Sequence, residues 1–208
     1  MFEFEGLSFE WTGHDGFRIA RSGGKVIYTD PFRLGSKYRN RNDADLVLIS
    51  HNHFDHLSTD DLRHIASAET TYVAARECAD KLREIAAADK IMGILPGDKI
   101  EIEGVRIEAI PAYNTDKTFH PKQDLKVGFV ISDRGIRTYH AGDTDEISEM
   151  VSVKPDIALL PVSGTYVMTA EQAAHAVNDK IKPRKLAIPM LNVTRQPCCS
   201  MALRLWTK

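Results

Sequence analysis

The sequence predicts an α/β protein in which two sheets of mostly antiparallel strands pack together with helices outside. Three observations predict it. The first third of the chain alternates apolar and polar residues at strand spacing, and a second strand-rich block covers residues 99–140. Segments around and after these blocks carry apolar residues at helical spacing instead. With 208 residues the chain suits a single domain with a substantial core. No repeat, low-complexity tract or linker divides residues 1–208.

In chain order, Leu7, Phe9 and Trp11 form one face of a half-buried strand. Phe17–Ala20 and Val26–Tyr28 flank Gly23-Gly24, a pair suited to the positive φ angles of a hairpin turn. Asp45–Ile49 is apolar after its first residue, with β-branched Val47 and Ile49, which predicts a strand buried on both faces. Asp60–Ile65 follows Ser58 and Thr59, either of which can cap a helix, and a second helix is expected over Ala79–Ala88. Strand pairs are predicted at Lys99–Ala112 around Glu103-Gly104 and at Lys126–His140 around Asp133-Arg134-Gly135. A short helix near Asp145–Val151, a strand at Ile157–Val162, a helix at Thr169–Asp179 and a strand at Lys185–Met190 complete the expectation.

Composition narrows the class without naming a function. Hydrophobic residues are 43% and charged residues 27%, as in ordinary globular proteins. A net charge of −2 supplies no field for holding nucleic acid or an anionic membrane. No apolar run is long enough to span a bilayer, and Met1–Glu5 lacks the features of a signal peptide. Three cysteines, two of them adjacent at Cys198 and Cys199, argue against a disulfide framework and point to a reducing cytosol. There is no nucleophile elbow, phosphate loop or dinucleotide fingerprint.

The informative segment is Ser50-His51-Asn52-His53-Phe54-Asp55-His56, directly after the buried strand. In an extended segment His51, His53 and Asp55 share a face, and His56 follows from the turn into the next helix. Imidazoles and a carboxylate are what borderline divalent ions such as zinc prefer. A solvated loop merely rich in histidine is the competing reading, and it would have to partner every imidazole beside a buried strand.

His51-Asn52-His53-Phe54-Asp55-His56 matches the His-x-His-x-Asp-His motif of the metallo-β-lactamase superfamily. Neighbouring segments resemble its branch of small metal-dependent hydrolases related to the L-ascorbate-6-phosphate lactonases. Trp11-Thr12-Gly13-His14 resembles that branch's opening strand, and Thr29-Asp30-Pro31 resembles the aspartate ending an early strand beneath the metals. Ala141-Gly142-Asp143-Thr144-Asp145 resembles the Gly-Asp-Thr motif. The resemblance spans roughly Leu7 to Met190 and implies a four-layer αβ/βα sandwich with metals at one edge.

Carried over by position, the resemblance implies that His51 and His53 hold a first metal, Asp55 and His56 a second, and Asp143 bridges them. Many members place a further histidine where this chain has Tyr113-Asn114, and the nearest imidazole, His120, takes that role here. A plain surface-loop histidine is the other reading of His120. Asp30 is expected to accept the second N–H of a metal-bound imidazole, and His140 to pack beside the site. His14 either lines the pocket or bonds to backbone, and Tyr166 is assigned to the pocket.

The implied activity is a cytoplasmic hydrolase whose two divalent ions (zinc first, manganese or iron(II) also suitable) share a hydroxide that attacks an ester, lactone or phosphodiester. Asp55 is its catalytic carboxylate. The basic stretch Arg33, Lys37, Arg39 and Arg41 suits a small anionic substrate, an oligomer is allowed, and no membrane is expected. One alternative is a nuclease or cyclic-nucleotide phosphodiesterase, which the near-neutral charge disfavours. Another is a metal-binding protein without turnover. Its warrant is the tail. Relatives follow the last strand with a histidine ligand, whereas Leu191-Asn192-Val193 stands here, no histidine follows His175, and no acidic residue follows Asp179. Residues 191–208 read either as a frame-shifted tail or as a family variant with a weakened second metal site.

Overall fold

The computed structural model describes residues 1–187 and 206–207. The expectations for residues 188–190, for the tail at 191–205 and 208, and for Cys198-Cys199 therefore lie outside the described residues. The chain divides into two compact units, Met1–Ile94 and Leu95–Lys208.

The first unit is built on a seven-stranded sheet in sequential order. Its strands are β1 (Phe2–Phe4), β2 (Leu7–Gly13), β3 (Gly16–Arg21), β4 (Val26–Thr29), β5 (Leu46–Ile49), β6 (Thr71–Ala75) and β7 (Ile91–Ile94). Strands β1 to β4 form an antiparallel meander, and β4 to β7 run parallel. Parallel neighbours need crossovers. Two of these crossovers carry α1 (Thr59–Ile65) and α2 (Ala79–Leu82). Helix α1 starts where a capping residue is available: Ser58 Oγ accepts from Asp61 N, and Leu62 and Ile65 turn into the core. Helix α2 is far shorter than expected. It has no capping side chain, and the turns after Leu82 tighten to i→i+3 bonds such as Ile85 N to Leu82 O. Strands β1, β6 and β7 were not legible in advance, because Thr71–Ala75 and Ile91–Ile94 are short and show neither clear alternation nor turn residues on both sides.

The second unit holds the other seven-stranded sheet: β8 (Lys99–Ile102), β9 (Val105–Pro111), β10 (Val127–Asp133), β11 (Ile136–His140), β12 (Ile157–Leu159), β13 (Lys185–Ala187) and β14 (Trp206–Thr207). Strands β8 to β11 are antiparallel, β11 to β13 parallel, and β14 pairs antiparallel to β13. Arg134 and Gly135, at φ 47° and 88°, make the two-residue turn that the sequence anticipates. Helix α3 (Ala170–His175) begins at Thr169 with a complete capping box to Gln172 and continues into a wider turn over Ala176–Ile181. The helix expected near Asp145–Val151 is a single 3-10 turn, Ser148–Ser152. Ala173, Ala176 and Ile181 pack with Met150, Val153 and the sheet residues Val130, Tyr139 and Ala158 in one buried cluster. Among the described residues no helix is long and apolar enough to cross a membrane.

One glycine brings this sheet to its functional end. A Cβ on Gly128 of β10 would stand 2.5 Å from the Ala141 carbonyl oxygen and 2.8 Å from that of His140. Both contacts are to backbone, which cannot swing aside. Gly128→Ala should therefore destabilise the chain by about 1–3 kcal/mol, a drop in Tm of roughly 2–12 °C in a thermal melt.

Candidate metal centre

Parallel strands gather loops at their carboxyl ends, where ligand sites form. In the first unit Asp30 directly follows β4, and Ser50 and His51 directly follow β5. Asp30 is fully buried and sits at φ 38°, held by its own N–H donating to Leu48 O at 3.0 Å. Its carboxylate accepts from Ser50 N (2.7 Å), from Ser50 Oγ and from His56 Nδ1 (2.8 Å). Ser50 Oγ spends its hydrogen on Asp30, so it accepts from His51 Nδ1 at 2.9 Å. A carboxylate and a committed hydroxyl leave each ring one arrangement: the proton on Nδ1 and the lone pair on Nε2. Both His51 and His56 thus present Nε2 as the ligand atom.

The segment after β5 is not extended as expected. His56 N and Leu57 N both donate to His53 O, at 3.0 and 2.9 Å, and this turn brings the rings together. The His51 ring lies 4.4 Å from that of His53 and 4.1 Å from that of His56. Asp55 is directed elsewhere, its Oδ2 lying 3.1 Å from His14 Nε2. Burial pushes the Asp55 carboxyl up, but the His14 hydrogen bond and the nearby His56 and His14 charges bring it below the usual carboxylate value. His14 occupies the β2–β3 turn at φ 51°, and its carbonyl receives Trp11 Nε1. The His14 ring thus faces the Asp55 carboxylate, while it is the residue's own carbonyl, not its ring, that bonds to Trp11. Ligand atoms of His14, Asp55 and His56 lie within 4.8 Å of one another.

In the second unit His140 ends β11, buried, and Asp143 lies three residues further on. His120 is buried rather than a surface-loop histidine, with Nε2 3.2 Å from Asp143 Oδ2. The loop carrying it is tied down at several points. Asp145, fully buried, accepts from Thr115 N (2.9 Å) and Lys117 Nζ (2.7 Å), and its own N–H donates to Tyr113 O. Burial disfavours the Lys117 ammonium, but the carboxylates of Asp116 and Asp145 raise its pKa above the usual value. Tyr113 Oη donates to Glu149 Oε2 (2.9 Å). Burial raises the Glu149 carboxyl, yet bonds from Lys122, its own backbone, Ser148 and Tyr113 pull it down to about 2. Tyr166 is 43% exposed, and its ring packs edgewise on Phe119 at 4.8 Å.

The donor set suits a divalent metal. Buried imidazoles with their proton held at Nδ1, together with buried carboxylates, are borderline N/O ligands with their orienting hydrogen bonds in place. The basic stretch near β4 is partly spent on the fold: Lys37 pairs with Glu10 and Arg41 with Asp43, while Arg33 lies over the Phe32 ring at 5.0 Å. Sequence reasoning anticipated Asp30 but missed Ser50 and Asn114. A serine directly before the first histidine of the motif was the available signal for Ser50.

These features define a metal-dependent hydrolase, and the chain belongs to the β-lactamase superfamily, whose domain matches residues 8–191. It is 35% identical over 194 residues to the UPF0173 metal-dependent hydrolase of Thermoplasma acidophilum, covering 89% of this chain and 83% of that protein. Among solved structures, a candidate metal-dependent hydrolase from Parabacteroides distasonis superposes with a TM-score of 0.76 at 32% identity, over 88% of this chain and 81% of that one. Igni18, a metallo hydrolase of Ignicoccus hospitalis, gives 0.72 at 25% identity, over 88% and 82%.

Two outcomes follow from this geometry. Asp30→Asn, nearly isosteric, disturbs the tautomers of both His51 and His56. Zinc affinity measured by chelator competition should fall about 10- to 100-fold, and less for Ser50→Ala, which leaves the Asp30–His56 bond intact. Glu149→Gln should cost about 1–2 kcal/mol at neutral pH. Because the folded carboxyl is pulled down to about 2, below its ordinary value of 4.5, that contribution is present above pH 4.5 and lost as pH falls toward 2. Urea unfolding of the two proteins should differ at pH 7 and converge as pH falls from 4.5 toward 2.

Proposed function

We propose that this metal-dependent hydrolase works with two divalent ions, zinc foremost, and cleaves an ester, lactone or phosphodiester bond in a small anionic molecule. In the first unit His51, His53, Asp55 and His56 would ligate metal, and in the second unit His120 and Asp143 would. The single observation that carries the reading is the enforced presentation of Nε2 by His51 and His56, both set by Asp30. When bound, such ions lower the pKa of water toward ~7 and stabilise charge developing on the substrate oxygen.

The protein's own groups do the rest. Asp55, its Oδ2 beside His14, orients the attacking water through its other oxygen and takes its proton. Arg33, exposed beside Phe32, supplies positive charge for an anionic substrate. Phe54, 71% exposed and edge-on to Phe32 at 5.8 Å, offers apolar surface next to it. A reducing compartment such as the cytosol suits the buried, unbridged Cys78.

The test pairs elemental analysis with a substrate panel of a generic ester, a lactone and bis(p-nitrophenyl) phosphate. The purified chain should carry one to two equivalents of a divalent ion and hydrolyse at least one of the three. His51→Ala with His53→Ala should lose most of the metal and lower kcat/KM by about 10³-fold or more. Full metal retention in that double variant would overturn the ligand set.

A further inference from the structure

Asn114 stands where many members of the resembled family carry a histidine, and its contacts are determinate. Its Nδ2 lies 3.0 Å from the Tyr166 carbonyl, which can only accept, and its Oδ1 lies 2.9 Å from the His120 backbone N–H, which can only donate. Two main-chain groups therefore leave the amide one orientation, with no freedom to flip. The same Oδ1 is 3.2 Å from His120 Nδ1. An oxygen already fixed as acceptor requires that ring nitrogen to be the N–H, so the lone pair falls on Nε2, the atom 3.2 Å from Asp143 Oδ2. A lone pair and a carboxylate so close are two electron-pair donors, an arrangement that a cation holds together.

The amide is itself held at both ends of the loop. Asn114 N donates to His120 O at 2.7 Å, closing residues 114–120 into a ring of hydrogen bonds. The next residue, Thr115, is anchored by buried Asp145. A side-chain amide fixed by backbone is a rigid acceptor, and rigidity is what an orienting partner needs.

We propose that Asn114 is a positioning residue that sets the tautomer and aim of His120, so that a histidine six residues along the loop presents Nε2 as a ligand. This deepens the functional reading above and rests on His120 being a metal ligand. It assigns to an amide and two backbone groups the task that Asp30 and Ser50 perform for His51 and His56.

The experiment uses the full-length, zinc-loaded chain labelled with ¹⁵N. Long-range ¹H–¹⁵N spectra should show the His120 proton on Nδ1, and a proton on Nε2 would overturn the proposal. Two variants separate positioning from mere bracing of the loop. Asn114→Asp and Asn114→Leu both lose the bond to the Tyr166 carbonyl, but only the leucine loses the acceptor facing His120. Asn114→Asp should keep the Nδ1–H tautomer and a zinc affinity within about threefold, whereas Asn114→Leu should lose the tautomer preference and about 10- to 100-fold in affinity. An equal loss in both variants would reduce Asn114 to a loop brace and sink the proposal. His120→Ala binding zinc as tightly as the parent would instead overturn the ligand assignment beneath it, a failure told apart because the tautomer spectrum of the parent stands on its own.

Discussion

A carboxylate with no access to water must be surrounded by donors, and in the first unit that constraint organises everything near the metal motif. Asp30 is fully buried, and its donors come from the end of β5, from the Ser50 hydroxyl and from His56. Satisfying it joins the ends of two parallel strands. It also uses up the one hydrogen of Ser50, which turns that oxygen into an acceptor for His51. The desolvation penalty of one side chain is thus what makes two imidazoles present the same nitrogen. The cost of burying Asp30 is offset only in this conformation, so the geometry of the motif and the stability of the strand ends are one problem.

The second unit reaches a similar result with different chemistry. The acceptor facing His120 Nδ1 is a neutral amide, Asn114 Oδ1, and its orientation is dictated by main chain. The buried charge lies one step away, at Asp145, where Lys117 and Thr115 N–H meet it. That step keeps the anchor of the loop separate from the partner of the imidazole. Tyr113 links both, through backbone bonds with Thr144 and Asp145 and through its hydroxyl to Glu149. Gly128 completes the arrangement by letting the backbone leaving β11 approach β10 more closely than any side chain permits.

Much of this was legible in the sequence where local physics is decisive. The hairpin turns at Glu103-Gly104 and Arg134-Gly135, the cap at Ser58 and the Thr169 capping box all depend on a few adjacent residues. Helix lengths were not legible. Ala79–Ala88 has helical spacing, yet only Leu82 at its centre is fully buried, and without a cap the helix shortens to one turn. Strands β6 and β7 exist because parallel neighbours pair with them, a long-range cause with no local trace. The extended reading of residues 51–56 failed for a related reason: hydrogen bonds to the His53 carbonyl close a turn that residue types alone do not announce.

The sequence by itself determined which atoms are available: His51, His53, Asp55 and His56 in one motif, Asp143 in another, His120 as the remaining imidazole, and Asp30 as a supporting carboxylate. Those are matters of residue type and order, and the family follows from them. Only the tertiary structure decided which nitrogen each histidine presents and which carboxylate faces which ring. A tautomer depends on what stands 3 Å from the other ring nitrogen. For His56 and His120 that neighbour lies 26 and 6 residues away in the chain, brought there by strand pairing and loop closure rather than by anything adjacent.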